Sequence, residues 1–204
     1  MTAPRPRLVG LGGGSASGKT WLGRALEQAL APHCVVLAHD RYYRSVERGA
    51  PLPNFDHPDA LETEVLVDHL TQLVRGQPVR VPSYDFTRHR RRPEDEWHEL
   101  APQSTIIVEG ILVLAVDRLR AELDLAVFVE TPADVRLSRR LRRDVVERGR
   151  TMLDVLTQYE QTVRPMHDAF IQPSRVHADL VVDGTRPLDE LVAQVVPAIN
   201  GSPG

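Results

Sequence analysis

The residues best placed to do chemistry are Gly13, Gly14, Ser15, Ala16, Ser17, Gly18, Lys19 and Thr20, which fit the pattern G-x-x-x-x-G-K-[ST]. In this phosphate-cradling P-loop, glycines let successive backbone N–H groups converge on an anion where a Cβ would collide. The N-terminus of the following helix adds partial positive charge. Lys19 then reaches the β- and γ-phosphates of a bound nucleotide as a compact ammonium, and the Thr20 hydroxyl is placed to ligate Mg²⁺.

Such a loop needs a strand before it and a helix after it. Arg7 to Leu11 reads as a short buried strand and Trp21 to Leu30 as an amphipathic helix. A Gly/Ser turn capping a helix by accident would leave both flanks unexplained. The basic residues point the same way: of 25 Lys plus Arg, Lys19 is the single Lys. A chain that elsewhere uses only Arg keeps an ammonium where a planar guanidinium would not fit.

Further carboxylates and cations stand where a ligand at that loop would meet them. Cys34 to Ala38 reads as a second buried strand running into His39-Asp40-Arg41-Tyr42-Tyr43, and polar groups at that end of such a sheet face the ligand, which singles out Asp40. Thr105 to Val108 is an apolar strand ending in Glu109-Gly110, the place of an acid that supports Mg²⁺ directly or through water. Phe55-Asp56-His57-Pro58 reads as a helix start, with Asp56 or His57 as cap and Pro58 first in a helix running to about Arg75. Thr131-Pro132 reads as another, with Thr131 as cap. Arg136, Arg140 and Arg143 share one face of the helix that follows, and Glu147-Arg148-Gly149-Arg150 breaks it before a second capped start at Thr151. Two helices joined by an arginine-bearing break suit a lid that closes over phosphates; a solvated basic face pairing with Asp144 and Glu147 is the plainer alternative.

Val79 to Phe86 alternates as a strand to which Trp97 to Leu100 pairs back, and Arg88-His89-Arg90-Arg91-Arg92 lies between them as a basic cluster. Leu125 to Val129 and His177 to Val182 complete the strands, Gln158 to Arg164 continues helical surface up to Pro165, Pro187 to Ile199 is the last helix, and Gly201 to Gly204 should fray. The alternation predicts an α/β fold of P-loop NTPase type: a mostly parallel sheet with helices on both faces, a small β-hairpin insertion over about 78–100 and a helical lid over about 132–165, within one domain spanning 1–204.

Composition narrows the partners. The net charge of −3 argues against generic nucleic-acid binding, and the longest apolar stretch, Ile106 to Val116, is interrupted by Glu109, so no membrane segment is expected. Met1 to Arg7 lacks the apolar core of a signal peptide, and the lone Cys34 allows no internal disulfide, which fits the cytoplasm.

Taken together, the P-loop, Asn54-Phe55-Asp56-His57-Pro58-Asp59-Ala60, Tyr84-Asp85-Phe86 with His89, Val108-Glu109-Gly110-Ile111-Leu112, Arg143-Asp144 with Glu147-Arg148-Gly149-Arg150, and Val163-Arg164-Pro165 resemble the uridine kinase (uridine/cytidine kinase) family over nearly the whole chain. The resemblance implies transfer of the ATP γ-phosphoryl group to the 5′-hydroxyl of uridine or cytidine. It implies that Asp40 orients or accepts the hydroxyl proton, and that Asp56 with Arg140 holds the ribose diol. Tyr84, His89, Arg150 and Gln158 would then surround the pyrimidine, Arg143 and Arg148 clamp phosphates beside Lys19, and Thr20, Asp40 and Glu109 hold Mg²⁺. It further implies a homo-oligomer, a tetramer in the family. Val182-Asp183-Gly184-Thr185 stands where the family usually carries an Arg-Gly-Gly type segment near the adenine, which leaves ATP or GTP open as donor. Two other readings stand beside this one: a related P-loop kinase acting on ribulose phosphate or pantothenate, and a nucleotide-dependent switch without an acceptor.

Overall fold

A computed structural model describes residues 5–201 of the chain. In chain order the strands are β1 Arg7–Gly13, β2 Cys34–Ala38, β3 Val79–Val81, β4 Tyr84–Asp85, β5 Arg90–Arg91, β6 His98–Leu100, β7 Thr105–Glu109, β8 Leu125–Glu130 and β9 Leu180–Asp183. The α-helices are α1 Lys19–Ala29, α2 Thr63–Val74, α3 Asp117–Arg120, α4 Ala133–Val146, α5 Met152–Gln158, α6 Arg164–Met166, α7 Gln172–Ser174 and α8 Leu188–Asn200.

Five strands form one all-parallel sheet in the order β2-β7-β1-β8-β9. Parallel strands covered on both faces read as continuous apolar runs, and neighbouring residues then divide between two cores. Val9, Leu11, Ile107, Val127 and Val129 pack with Leu22 and Leu26 of α1 and with Leu191, Val195 and Ile199 of α8. Leu8, Ile106, Val108, Ala126 and Phe128 face the other way, with Leu66, Leu70 and Leu73 of α2. Each fully buried aliphatic side chain contributes about 1.5–3 kcal/mol, so the two cores fix the sheet that carries the site. Register sets Leu11 and Ala38 on either side of Glu109, so that the loop after β1, the turn after β2 and the end of β7 share one edge.

Several local expectations change in the folded chain. Pro58 begins only a 3₁₀ turn, Pro58–Ala60, capped by the His57 side chain. Leu61 then extends to bridge Tyr43, and α2 starts at Thr63; the backbone of this segment is taken by Tyr42 and Arg44, whose partners are Glu62 N–H and the Ala60 carbonyl. The Val79 to Phe86 strand is two strands, broken at Pro82, which has no N–H for a ladder. Its first part pairs with β6 and its second with β5, antiparallel in both cases.

The helical stretch does not stop at Pro165. It continues through α7 to a 3₁₀ turn ending at His177, with π turns over Tyr159–Val163 and His167–Ile171. Each π turn ends two residues before a proline, Pro165 and Pro173. The wider turn relieves the clash of the ring with the preceding carbonyls and absorbs the missing donor, so proline is carried rather than ending the helix.

Among the described residues no helix is long and apolar enough to cross a membrane. Cys34 is buried, and burial, with Glu27 adding to it, pushes its thiol up to about 11. The fraying expected for Gly201–Gly204 falls, from residue 202 on, outside the described residues.

Candidate active site

The loop between β1 and α1 is held in its cradle by backbone that L side chains rarely adopt. Gly13 has φ 144° and Gly18 φ 103°, both positive, and Ala16 joins them at 62°. A Cβ on Gly13 would stand 2.6 Å from the Val129 carbonyl oxygen. The loop is closed on itself by Ser17 N–H to the Gly14 carbonyl, 3.1 Å, and Lys19 Nζ lies 3.5 Å from that same carbonyl. Lys19 is only 8% exposed, so its ammonium is directed into the loop rather than into solvent.

Thr131 was expected to cap α4. Instead Pro132 occupies the cap position, and the Thr131 hydroxyl donates to the Ser17 carbonyl at 3.0 Å. A threonine that can brace the phosphate loop from the next strand is drawn away from its own helix end. Arg139 adds a second brace, donating to the carbonyls of Ser17 and Gly184 at 3.3 and 3.0 Å.

Three carboxylates face this loop. Thr20 Oγ1 lies 3.2 and 3.3 Å from the two oxygens of Glu109. Burial raises the pKa of Glu109 while Lys19 draws it back and Asp40 raises it further. Asp40 sits in the 3₁₀ turn His39–Tyr42; burial raises it, and Lys19, Arg148 and Arg143 pull it down. Asp56, 7% exposed, is raised by burial and by Asp40, with Arg140 and Lys19 opposing. Arg140, Arg143, Arg148, the loop lysine and three acids thus share one electrostatic neighbourhood.

A Mg²⁺ site of Thr20, Asp40 and Glu109 has only two carboxylates. Among the described residues no group of three or more His, Cys, Asp or Glu side chains is arranged to hold a metal ion. Such a sparse oxygen set suits Mg²⁺, which keeps several waters and takes its remaining ligands from substrate phosphates.

The arginines of α4 and of the break after it are organised by a residue that the sequence showed only as a pairing partner on a basic helix. Asp144 is fully buried, and four guanidinium groups surround it. Arg143 Nε donates to Oδ1 at 2.8 Å and Arg148 lies 3.4 Å from the same oxygen. Arg140 and Arg150 approach Oδ2 at 3.5 and 3.8 Å. One carboxylate therefore offsets the mutual repulsion of four cations, and three remain in excess to meet an anion. Asp144→Ala is expected to destabilise the fold by about 1–3 kcal/mol, less than for a fully buried pair because Arg143, Arg148 and Arg150 reach solvent. Urea unfolding of the variant checks this, and an unchanged midpoint would show that the hub carries no stability.

Arg140 joins α4 to the phosphate loop and to α5: Nη1 donates to Ser15 Oγ at 2.8 Å and Nη2 to Gln158 Oε1 at 2.9 Å. Arg150 donates to the same Gln158 oxygen at 2.5 Å. Arg150 and Gln158 are therefore joined to Arg140, and the Gln158 amide keeps its two N–H donors for other use.

Tyr84 and His89 belong to an aromatic group assembled from three segments. His89 stacks on Phe55 with ring centroids 5.0 Å apart, Phe55 meets Tyr43 edge-on at 5.4 Å, and Tyr43 lies 5.6 Å from Tyr84. The Tyr43 hydroxyl donates to the Phe55 carbonyl, and Asp40, Asp56 and Arg140 all act on its ionisation. The aromatic wall therefore adjoins Asp40 and Asp56. Phe55 and Tyr43 were not assigned to the site from sequence; the only signal was their position one residue before Asp56 and three after Asp40.

Comparison with known proteins bears on what this arrangement is. The sequence model of the phosphoribulokinase/uridine kinase family matches residues 8–189. The chain belongs to this family. Among members of the family, the uridine kinase of Chloroflexus aurantiacus is 42% identical over 97% of this chain and 98% of its own length. The uridine kinase of Latilactobacillus sakei is 44% identical over 87% and 85%. The structure of phosphoribulokinase from Rhodobacter spheroides superposes with a TM-score of 0.63 over 90% of this chain and 74% of that one, at 15% identity, and shows the shared kinase fold. The family is one of kinases, which take the phosphoryl group from ATP with Mg²⁺.

Proposed function

We propose that the chain phosphorylates the 5′-hydroxyl of uridine or cytidine at the expense of ATP, giving UMP or CMP. One observation carries this reading: Asp40 lies within electrostatic reach both of the cations Lys19, Arg143 and Arg148 and of a second, polar and aromatic group, Tyr43 with Asp56. A nucleotide switch has no need of that second group. The relatives named uridine kinase support the acceptor.

In this reading Asp40 aligns the 5′-hydroxyl and takes its proton as the bond to phosphorus forms. The transition state is loose, so alignment matters more than basicity at the start. Lys19, Arg143 and Arg148 donate to the oxygens of the transferring group, where negative charge spreads. Mg²⁺, held by Thr20 and, directly or through water, by Asp40 and Glu109, would neutralise charge on the phosphates. Asp56 accepts from the ribose diol while Arg140 donates to it, and Tyr84 with His89 flanks the base, Arg150 and Gln158 supplying polar groups at its edge. The backbone of Gly13, Gly14, Ser15, Ala16, Ser17 and Gly18 cradles the donor's phosphates.

Nucleoside-dependent ADP formation with Mg²⁺ tests the reading, using uridine, cytidine, deoxycytidine, adenosine, ribulose 5-phosphate and pantothenate as acceptors. Turnover is expected with uridine or cytidine. GTP in place of ATP settles the donor in the same assay. If no nucleoside stimulates turnover, the assignment of the acceptor pocket is wrong.

Asp56 should set ribose selectivity. An acceptor lacking the 2′-hydroxyl leaves the buried Asp56 carboxylate without that partner, which costs a polar site about 10²-fold or more in kcat/KM. Asp56→Ala is expected to bring the preference for cytidine over deoxycytidine below about tenfold, mainly by lowering the cytidine value. A preference left intact would remove Asp56 from the diol.

A further inference from the structure

His39 is the one fully buried imidazole beside the reacting groups, and the mechanism above does not use it. Its side chain is 0% exposed, and burial lowers its pKa to about 3, so it packs as a neutral ring. Nε2 lies 3.1 Å from the hydroxyl of Thr63, the first residue of α2, whereas Nδ1 is buried with no hydrogen-bond partner among the described residues.

The ring occupies the seam between two strands that each deliver a carboxylate. Ala38 pairs with Glu109 in the parallel register, so His39 and Gly110 are the first residues past that pair. A Cβ on Gly110 would come 2.8 Å from His39 Cβ, and 3.6 Å from its Cγ. The imidazole therefore rests against the backbone just beyond Glu109. At its far end it is tied to α2, and its own backbone leads directly into Asp40.

We propose that His39 is a positioning residue: its Nε2–Thr63 hydrogen bond and its contact with Gly110 fix the turn that carries Asp40 relative to Glu109 and Lys19. Displacement of a reacting group by about 1 Å costs up to about 10²-fold in rate, so the bond should appear in kcat and not in binding. The proposal rests on the assignment of Asp40 to the acceptor hydroxyl. The wild-type nucleoside-dependent rate tests that assignment alone, so its failure is distinct from a failure of the variants below.

The two ring nitrogens separate the outcomes. A glutamine amide reaches about as far as Nε2 and an asparagine amide about as far as Nδ1. His39→Gln should keep kcat within about threefold, whereas His39→Asn and His39→Leu should lower it about 10- to 100-fold with KM for ATP and for the nucleoside nearly unchanged. Thr63→Val should show the same loss in kcat. Combined with His39→Asn it should add little, as expected for two ends of one interaction. If His39→Leu does not fold, the His39→Asn and Thr63→Val pair carries the test. Equal kcat in the Gln and Asn variants, or additive losses in the double variant, would overturn the proposal.

Discussion

Asp40→Asn is expected to lower kcat for nucleoside phosphorylation by about 10²–10⁴-fold, with KM for ATP and for the nucleoside within about threefold of wild type. The change is isosteric and the amide still accepts a hydrogen bond through its oxygen, so the acceptor hydroxyl can dock. What is lost is the negative charge that takes the proton once the oxygen–phosphorus bond forms. The surroundings sharpen that loss. Burial raises the pKa of Asp40, and Lys19, Arg148 and Arg143 oppose that rise, so the charge the reaction needs depends on the cations assigned to the phosphates. Neutralising it leaves those cations with one anion fewer, which favours ATP binding and makes a collapse in KM implausible as the source of any defect. Single-turnover measurements separate chemistry from product release. A variant that retains more than about a tenth of the wild-type single-turnover rate would leave alignment as the only role of Asp40.

Much of this site was legible because its parts are local. The phosphate loop is one continuous stretch with its strand and helix on either side, and Asp40 and Glu109 follow short apolar runs that read as buried strands. The lid arginines fall on one helical face by periodicity alone. Less legible was what depends on distant backbone. Thr131 looks like a cap in sequence, yet the Ser17 carbonyl, 114 residues away, takes its hydroxyl. Leu61 looks like the fourth residue of a helix, yet Tyr43 claims it for a bridge. Pro165 looks like a stop, and a π turn ahead of it carries the helix through. Asp144 was visible as a carboxylate among arginines, but a solvated face and a buried hub have the same charge pattern. Only burial distinguishes them, and burial of one helix face is decided by what packs against it. A usable signal was the placement of arginines on both sides of Asp144, four residues before and after it and next to it in the chain. A surface pair needs one such partner; three converging by helical geometry mark a shared one.

Lys19→Arg is expected to lower kcat/KM for ATP by about 10²–10³-fold although charge is conserved, the size of effect seen when one donor is removed from a preorganised oxyanion site. The reason is shape. Lys19 is almost enclosed, its Nζ approaches the Gly14 carbonyl at 3.5 Å, and Ser17 beside it is fully buried, so the loop leaves room for a point charge at the end of a thin stem. A guanidinium is planar, wider, and presents its donors in a fixed fork. To enter the cradle it would have to displace the carbonyls of the loop or push the phosphates outward, and either moves the γ-phosphoryl group away from Asp40. Charge alone would predict the opposite result, since Asp40, Asp56 and Glu109 all feel Lys19 through its charge and an arginine would satisfy them. The substitution therefore separates the two contributions, provided thermal unfolding shows a folded variant. It also tests the oddest feature of the composition, a single lysine against a background of arginine. Should Lys19→Arg keep kcat/KM within about threefold of wild type, the loop tolerates a fork and its lysine is an accident of composition. If activity collapses while the fold stands, the one lysine in the chain is there because no arginine could do its work.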